Sequence, residues 1–529
     1  MGTSTTPTER STDVLVVGAG PTGLMLANWL QRLGVDHVIV DDGDAPTRES
    51  RAIILQSRSM ELYAQLGMVD AVRDRATTAK GVRPGWLDRQ APGWVPVQAL
   101  GRGQTPYPGF FTVEQSVNEQ LLVDHLVATG GDVTWGRRVT DLATVPDGVR
   151  ARVSGPVGEE VITARHCVGA DGARSVVRKA AGIEFSGVTN PETFYVIDAE
   201  EVDGLDHEVI NLRPGRNEFL VTFPMTGDRH HRLIGSLGED ETEADVRQLL
   251  GERYGVTWGR SGWFAEYRLH HRVADRFRTG PFLLAGDAAH VHSPVGGQGM
   301  NTGLQDAHNL AFKLAAVVHG EADDRLLDAY EAERRPVAQR LVETTDAAFR
   351  LVVDQSRRAI ATRRWVIPAV VPIAVRVVPR LPVAEAVAGL VGQWRIHYRP
   401  PAGLVLRTGN PWDRINQRAL GRRLPWTGNN HDVLTALCWQ VHAYGDDLPS
   451  LAGLPGQVTR AHRFEARPDL GLGPGVWYLV RPDGFVQAAA TPTDAPAVFA
   501  AHLHALGHRL VRTSSAAATR LASDAATSG

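Results

Sequence analysis

The stretch Asp13-Val14-Leu15-Val16-Val17-Gly18-Ala19-Gly20-Pro21-Thr22-Gly23-Leu24 decides the fold of this chain. Its apolar run Val14 to Val17 does not alternate with polar residues, the pattern of a short strand buried on both faces of a parallel sheet. Gly18 permits a tight strand-to-helix turn. Gly20 lets a pyrophosphate approach the backbone, and Gly23 lets the following helix pack closely on the strand. The helix begins near Pro21-Thr22, where free N–H groups face the phosphate charge. It runs from Leu24 to Leu33 and stops at Gly34. Val38 to Val40 forms a second strand, so this is the opening βαβ of a doubly wound sheet. Asp41 follows that strand, 18 residues past Gly23. A carboxylate there bonds ribose hydroxyls and repels a 2′-phosphate, so the resident dinucleotide is FAD or NAD rather than NADP.

Two further stretches move the choice toward FAD. They are Gly169-Ala170-Asp171-Gly172-Ala173-Arg174-Ser175 and Gly286-Asp287-Ala288-Ala289-His290. With these three motifs in this order, the chain resembles the group A flavoprotein monooxygenases, the aromatic hydroxylases typified by para-hydroxybenzoate hydroxylase. The closer resemblance is to the polyketide, phenol and rifampicin hydroxylase branch, which carries an added C-terminal thioredoxin-like domain. The similarity runs from Asp13 to about Leu506 and is strongest from Phe282 to Asn301.

The resemblance implies roles for single positions. Gly18, Gly20, Pro21, Thr22 and Gly23 would receive the pyrophosphate, with Asp41 on the ribose, Arg51 on FAD phosphate and Val139 touching the adenine through its backbone. Gln115 would lie near the ribityl chain, and Gly286 and Asp287 would hold it. Asp171 and Gly172 would sit near the pyrophosphate and the NAD(P)H approach path, in a loop held by Arg174 and Arg178. Pro294, Gly296, Gly297, Gln298 and Gly299 would line the isoalloxazine, with the backbone N–H groups of Met300 and Asn301 at its pyrimidine edge. Backbone donors there stabilise the charge of a reduced flavin, and glycines let the chain approach without Cβ clashes. Two departures stand out. Asp42 replaces a residue that is often basic in the family, and the C-terminal module lacks Cys-x-x-Cys, so Cys438 has no partner for dithiol chemistry.

Composition narrows the class. The chain has 529 residues, a net charge of -3 and 43% hydrophobic residues, ordinary for a globular protein of two to four domains. Nothing in that charge favours nucleic acid or an anionic membrane. The two cysteines, Cys167 and Cys438, are too few for a disulfide framework, which fits a cytoplasmic location. The most apolar run, Trp365 to Val378, is short for a membrane span and carries Pro368, Pro372 and Arg376.

The expected fold is α/β. A discontinuous FAD-binding domain covers 12–185 and 271–349, and a β-rich substrate domain is inserted at 186–270. A helical linker follows over 350–402, then a thioredoxin-like module at 403–512 with a strand-turn signal at Val476 to Val486. Segments 1–11 and 513–529 read as disordered. Leu304, Ala307, Leu310, Ala311 and Leu314 form a helical core stripe.

No metal site is expected. His230-His231 and His270-His271 lie in strand-like runs, where neighbouring side chains face opposite ways and cannot chelate together. His290 reads as a structural hydrogen-bonding residue, and Glu331, Glu333, Arg334 and Arg335 as a solvated or ion-paired helix face. Trp86, Trp94, Tyr107, Phe110 and Phe111 read equally as a pocket for a flat substrate or as core.

The expected function is that of an FAD-dependent, NADPH- or NADH-consuming monooxygenase. It would hydroxylate a bulky aromatic or polyketide-type substrate with O2 through a C4a-hydroperoxyflavin, as a monomer or homodimer. Baeyer–Villiger oxygenation of a polycyclic ketone is the alternative on the same fold. A non-catalytic FAD-bearing polyketide-binding protein is the alternative from another class. No catalytic base is legible.

Overall fold

The apolar run at Val14–Val17 lies on an interior strand of the first sheet. The computed structural model describes residues 8–48, 52–156, 158–215, 218–238, 241–292, 297–353, 389, 392–399, 418–445 and 447–510. Arg51, Pro294 and Gly296, most of the linker expected at 350–402, residues 403–417 and the tail expected at 513–529 lie outside them.

Strand β1 (Thr8–Val17) pairs in parallel with β2 (His37–Val40) on one side and β10 (Gly158–Gly169) on the other. β10 pairs in parallel with β17 (Phe282–Leu284), and β16 (Arg278–Thr279) closes that edge. β9 (Gly148–Gly155) pairs antiparallel with β10, and β8 (Arg138–Val145) pairs antiparallel with β9, completing the seven-stranded sheet. Helix α1 (Pro21–Arg32) follows β1 and packs on α5 (Gln115–Ala128), where Asn28 Nδ2 donates to the Leu122 carbonyl. Gly34 adopts φ +68 past the end of α1, a left-handed stop that a side chain would oppose. β1 begins earlier than the sequence indicates. Thr8 to Ser11, expected to be disordered, pair with Glu160 to Thr163 of β10. Their side chains are exposed, so backbone pairing orders them without any hydrophobic signal in the sequence.

The second sheet has eight strands. It holds β11 (Phe185–Glu200), β12 (Ile210–Pro214), β13 (Phe219–Pro224), β14 (His231–Leu237) and β15 (Arg260–Ala274). It also recruits β5 (Val82–Trp86), β6 (Arg89–Gln90) and β18 (His290–Val291), all outside the insert expected at 186–270. Alternation marks a strand but does not reveal which distant segment completes its edge. Helix α7 (Glu243–Tyr254), opened by a Thr242–Asp245 capping box, covers the outer face through Val246, Leu250 and Tyr254. A small sheet of β3 (Ile54–Gln56), β7 (Phe110–Thr112) and β4 (Thr77–Ala79) lies under the other face. Short helices α2 (Ser57–Leu66), α3 (Val69–Arg75), α4 (Val97–Gly101) and α6 (Val176–Ala180) join these elements.

Helices α8 (Gly299–Val318) and α9 (Asp328–Val353) return to the first sheet. The stripe of Leu304, Ala307, Leu310, Ala311 and Leu314 is buried in the main core, as its spacing indicates. The C-terminal module is a mixed sheet of β19 (Trp439–Tyr444), β20 (Val458–Phe464), β21 (Trp477–Val480) and β22 (Val486–Ala490), with helix α10 (Ala495–Ala505) on it. Phe312 of α8 enters that module's core and meets Trp439 edge-on at 6.5 Å.

Several histidines are buried without charge. Burial pulls His166, His431 and His508 down to about 4 and His231 to about 3, and pulls His308 and His442 well below the ordinary value. These groups accept protons near pH 6.5 only when the chain unfolds. Their contribution is therefore complete above that pH and is lost as pH falls toward their folded values. Each withdraws about 1.4 kcal/mol per pH unit over that window. Thermal melts should show a Tm at pH 5.5 well below that at pH 7.5, and an equal Tm at the two values would contradict the assignment.

Candidate functional site

The three motifs stand side by side because the strands before them end in register. Val17 is opposite Gly169, and Gly169 is opposite Leu284. Gly18, Ala170 and Ala285 therefore leave the sheet together at its carboxyl edge, where doubly wound folds bind ligands. The turns are stitched by Ala170 N–H to the Val17 carbonyl at 2.8 Å and Ala285 N–H to the Gly169 carbonyl at 2.9 Å.

Close approach explains the glycines. A Cβ on Gly18 (φ +103) would lie 2.5 Å from the Ala170 carbonyl oxygen, and one on Gly23 would lie 1.9 Å from that of Gly18. Positions 286 and 303 are equally closed, since a Cβ would come within 2.5 and 2.2 Å of Thr22 Oγ1. Thr22 thus packs the first motif against the third. Gly20 differs, because a Cβ there would meet no atom within 4 Å. The first four are needed for the fold, whereas Gly20 keeps a surface open.

That open surface fits a dinucleotide pyrophosphate. Helix α1 begins beneath it with Gly20 as its N-cap, no side-chain cap and no acidic residue in its first turn. Its N–H groups and dipole are left to an anion. Helix α8 starts the same way at Gly299, with no side-chain cap and no acid in its first turn, and fits the electron-rich pyrimidine edge of a flavin.

Asp41 lies at the end of β2, with Oδ2 accepting from Ala19 N–H at 2.6 Å and Oδ1 from Gly43 N–H at 2.8 Å. It braces the first glycine turn. Asp42 pairs with Arg138 on the surface at 3.2 Å. Val139 lies on β8 with its side chain in the main core. Asp287 is exposed between buried Gly286 and Ala288, and Gly172 is left-handed at φ +72.

Asp171 accepts from Val176 N–H at 2.6 Å and Val177 N–H at 3.3 Å, so it caps helix α6. Burial raises its carboxyl above the usual range, against those hydrogen bonds. Arg178 is buried and ties the second motif to the third, donating to the Ala173 and Ala288 carbonyls at 2.7 and 2.8 Å. Arg174, the other arginine expected to hold this loop, is exposed.

Gly297, just before α8, is held by Asn301. Its Nδ2 donates to the Gly297 carbonyl at 2.7 Å and the Ile54 carbonyl at 2.8 Å. Its Oδ1 accepts from Gln56 N–H at 2.8 Å and Ser59 Oγ at 2.6 Å. Gly297 (φ +61) would place a Cβ 2.5 Å from Ile54 Cδ1. Met300 Sδ accepts from Asn118 at 3.6 Å, and Gln115 Oε1 accepts from Ala52 N–H at 3.1 Å.

The sequence reading misses the support behind this wall. Asp306 is fully buried on α8, accepting from Gly286 N–H at 3.1 Å, His290 Nε2 at 2.7 Å and Arg334 Nε at 2.6 Å. Burial would raise its carboxyl, but Arg334 and then His290 outweigh burial and hold it below the usual range. An aspartate inside the apolar stripe of α8 was the available signal. Arg334 and Glu333 are part of this buried scaffold. Of the two expectations for this helix face, ion pairing holds for Arg334 and Glu333, with Arg334 bonded to Asp306 inside the fold rather than toward solvent.

The aromatic candidates separate. Phe111 joins the main core, while Phe110 meets Ile54, Ile210 and Phe223 where the small sheet faces the large one. Trp86 is buried on β5, and Trp94 lies under Arg83 at 5.5 Å. From Phe223 an apolar strip crosses Val221 and Ile234 to Phe194 and Tyr267, whose rings are 5.7 Å apart. His231 bonds His207 at 2.9 Å, and His270 bonds Thr189 at 3.0 Å.

Aligned glycine turns under two bare helix N-termini define a flavin dinucleotide-binding protein of the doubly wound class. The FAD binding domain family matches residues 11–345, and the chain belongs to that family. It is 33% identical over 522 residues to the 6-methylpretetramide 4-monooxygenase of Streptomyces rimosus, covering 91% of each chain. Its fold matches that of the anhydrotetracycline hydroxylase OxyS from Streptomyces rimosus with a TM-score of 0.74 and 29% identity, over 95% of this chain and 100% of that one. It also matches the Diels–Alderase PyrE3 of pyrroindomycin biosynthesis with a TM-score of 0.69 and 27% identity, over 90% and 96%. The architecture is that of FAD-dependent aromatic hydroxylases.

Two substitutions separate fold from binding. Gly23→Ala should lower stability by roughly 1–3 kcal/mol or more through overpacking. Gly20→Ala should leave Tm near that of wild type and weaken FAD binding by roughly tenfold or more. Denaturant melts and flavin titration check both, and a Gly20→Ala protein with wild-type FAD affinity would contradict the placement of the pyrophosphate.

Proposed function

We propose that this protein is an FAD-dependent, NAD(P)H-consuming monooxygenase that hydroxylates a bulky aromatic or polyketide-type substrate. The observation that carries the reading is the register Val17–Gly169–Leu284, which brings three flavin signatures to one sheet edge. The relatives named as monooxygenases of tetracycline-type compounds support the substrate class.

Bound FAD would supply the redox chemistry, taking a hydride equivalent from NAD(P)H and enabling O2 to place one oxygen atom on an aromatic carbon while the other leaves as water. The chain's own part is binding, positioning and exclusion of water. The N-terminus of α1 and the open backbone at Gly20 hold the pyrophosphate. Asp41 receives the adenosine ribose, and Asp287 the ribityl chain. The backbone N–H groups of Met300 and Asn301, at the positive end of α8, stabilise negative charge at the pyrimidine edge. The side chain of Asn301 keeps Gly297 and Ile54 fixed around that edge. Arg51, Gln115, Val139, Asp171, Gly172, Pro294 and Gly296 complete the cofactor environment in this reading.

The apolar strip from Ile54 through Phe223 and Ile234 to Tyr267 forms a dry wall for a flat polycyclic substrate, limiting unproductive reaction with water. The FAD-binding part comprises 8–185 and 271–349, with β5, β6 and β18 lent to the second sheet. The module at 403–512, thioredoxin-like in layout, serves as structural support without dithiol chemistry. The protein acts in the cytoplasm as a monomer or homodimer. Among the described residues no helix is long and apolar enough to cross a membrane.

The similarity to a Diels–Alderase favours a second reading, in which bound FAD is structural and the same pocket holds a polyketide without consuming NAD(P)H. One assay separates the two. Polycyclic phenols and quinones are screened for stimulation of NADPH and NADH oxidation under 18O2, with mass spectrometry of the products. Substrate-stimulated oxidation with one labelled oxygen in the product is expected. A flavin-loaded protein that consumes no nicotinamide with any ligand would support the second reading instead.

A further inference from the structure

The β21–β22 hairpin turns at Arg481-Pro482-Asp483-Gly484, and its tip is buried rather than exposed. Arg481 and Asp483 are 3% and 1% exposed. Arg481 donates from Nη1 and Nη2 to the two Glu333 oxygens at 2.6 and 2.8 Å, and from Nε and Nη2 to Asp483 at 2.9 and 2.7 Å. Glu333 Oε2 also accepts from Lys313 Nζ at 2.9 Å and Asn309 Nδ2 at 2.8 Å, both on α8. Asn309 reaches Asp483 Oδ2 at 3.2 Å, and Arg58 of α2 donates to the Asp483 carbonyl at 2.8 Å. The tip therefore grips α2, α8 and α9 together.

One residue further along α9 the same lattice reaches the flavin wall. Arg334 bonds Asp306 at 2.6 Å and the Thr302 carbonyl at 3.1 Å, and Asp306 holds Gly286 N–H. Adhesion alone needs none of this, since Phe312 and Trp439 already join the two parts through apolar contact. Buried ion pairs gain little net stability over apolar packing, and in some proteins their use is to fix how the partners align. The lattice binds α8 at Thr302, Asp306, Asn309 and Lys313, successive turns of one face, so it fixes how far the helix slides along its axis.

We propose that Arg481, at the tip of the C-terminal hairpin, is a positioning residue for the flavin site. It sets the axial register of α8 and thereby the placement of the Met300 and Asn301 N–H groups and of the Gly286 turn. This rests on the FAD-binding reading given above.

The test uses the full chain. Wild type, Arg481→Met, Arg481→Lys and the double variant Arg481→Met/Glu333→Gln are purified, stripped of flavin and titrated with FAD. Affinity, the visible circular dichroism of bound flavin, and amide hydrogen exchange are followed. Arg481→Met is expected to remain folded by far-ultraviolet circular dichroism and to weaken FAD binding by roughly tenfold or more. Its flavin dichroism should be altered, and exchange over residues 299–309 should be faster while that of β10 is unchanged. Arg481→Lys should recover part of the affinity. The double variant should bind no better than Arg481→Met, because Glu333 still pairs with Lys313 in the single variant and its neutralisation leaves that buried ammonium without a carboxylate. A variant with lowered Tm but FAD affinity within about twofold of wild type and unchanged dichroism would overturn the proposal, leaving Arg481 a merely structural tie. If Arg481→Met does not fold, Arg481→Lys decides by the same two readouts. Failure of wild type to bind FAD would instead defeat the functional reading.

Discussion

The register Val17–Gly169–Leu284 is the constraint on which the site depends. Three parallel strands that end level with one another deliver three loops to one edge. Shifting any strand by a single residue would invert its side chains and carry its glycine turn away from the others. The glycines at 18, 23, 286 and 303 record the consequence, since each occupies a place where another segment's backbone or Thr22 lies too near for a Cβ. Backbone-to-backbone packing is thus what makes this edge, and the proposed phosphate site at Gly20 and α1 uses the gap it leaves.

A second layer of polar groups maintains that edge from behind. Asn301 spends all its hydrogen-bonding capacity on four neighbours, and Asp306 joins α8 to the Gly286 turn, His290 and Arg334. Buried polar groups are costly unless satisfied, and a satisfied set admits one arrangement. The same logic extends through Glu333 to Arg481, so the C-terminal module is bonded to the helices that frame the flavin site.

Much of the site was legible in the chain because its physical demands are local. A tight turn, a bare helix start and a carboxylate at the end of the next strand are set by residues within a few turns of one another, as at Gly18, Gly20 and Asp41. The helical stripe on α8 was legible for the same reason. The order of Thr8–Ser11 was not, because it comes from pairing with a strand about 150 residues away, and those residues carry no apolar pattern. The arginines of the second motif were only half legible. Arg178 reaches the Ala288 carbonyl and Arg174 does not, which depends on how α6 is rotated.

The amino-acid order by itself determined the dinucleotide-binding βαβ, the three flavin signatures and the family's chemistry, since these rest on short-range backbone geometry and a long specific run at 282–301. Tertiary structure alone decided that β5, β6 and β18 complete the second sheet, that Arg334 is buried and Glu333 nearly so in ion pairs, and that a hairpin near the C-terminus bonds to the helix carrying Met300 and Asn301. Those outcomes depend on which distant surfaces meet and exclude water. Burial turns an ordinary surface charge into a fixed one, and no local pattern encodes it.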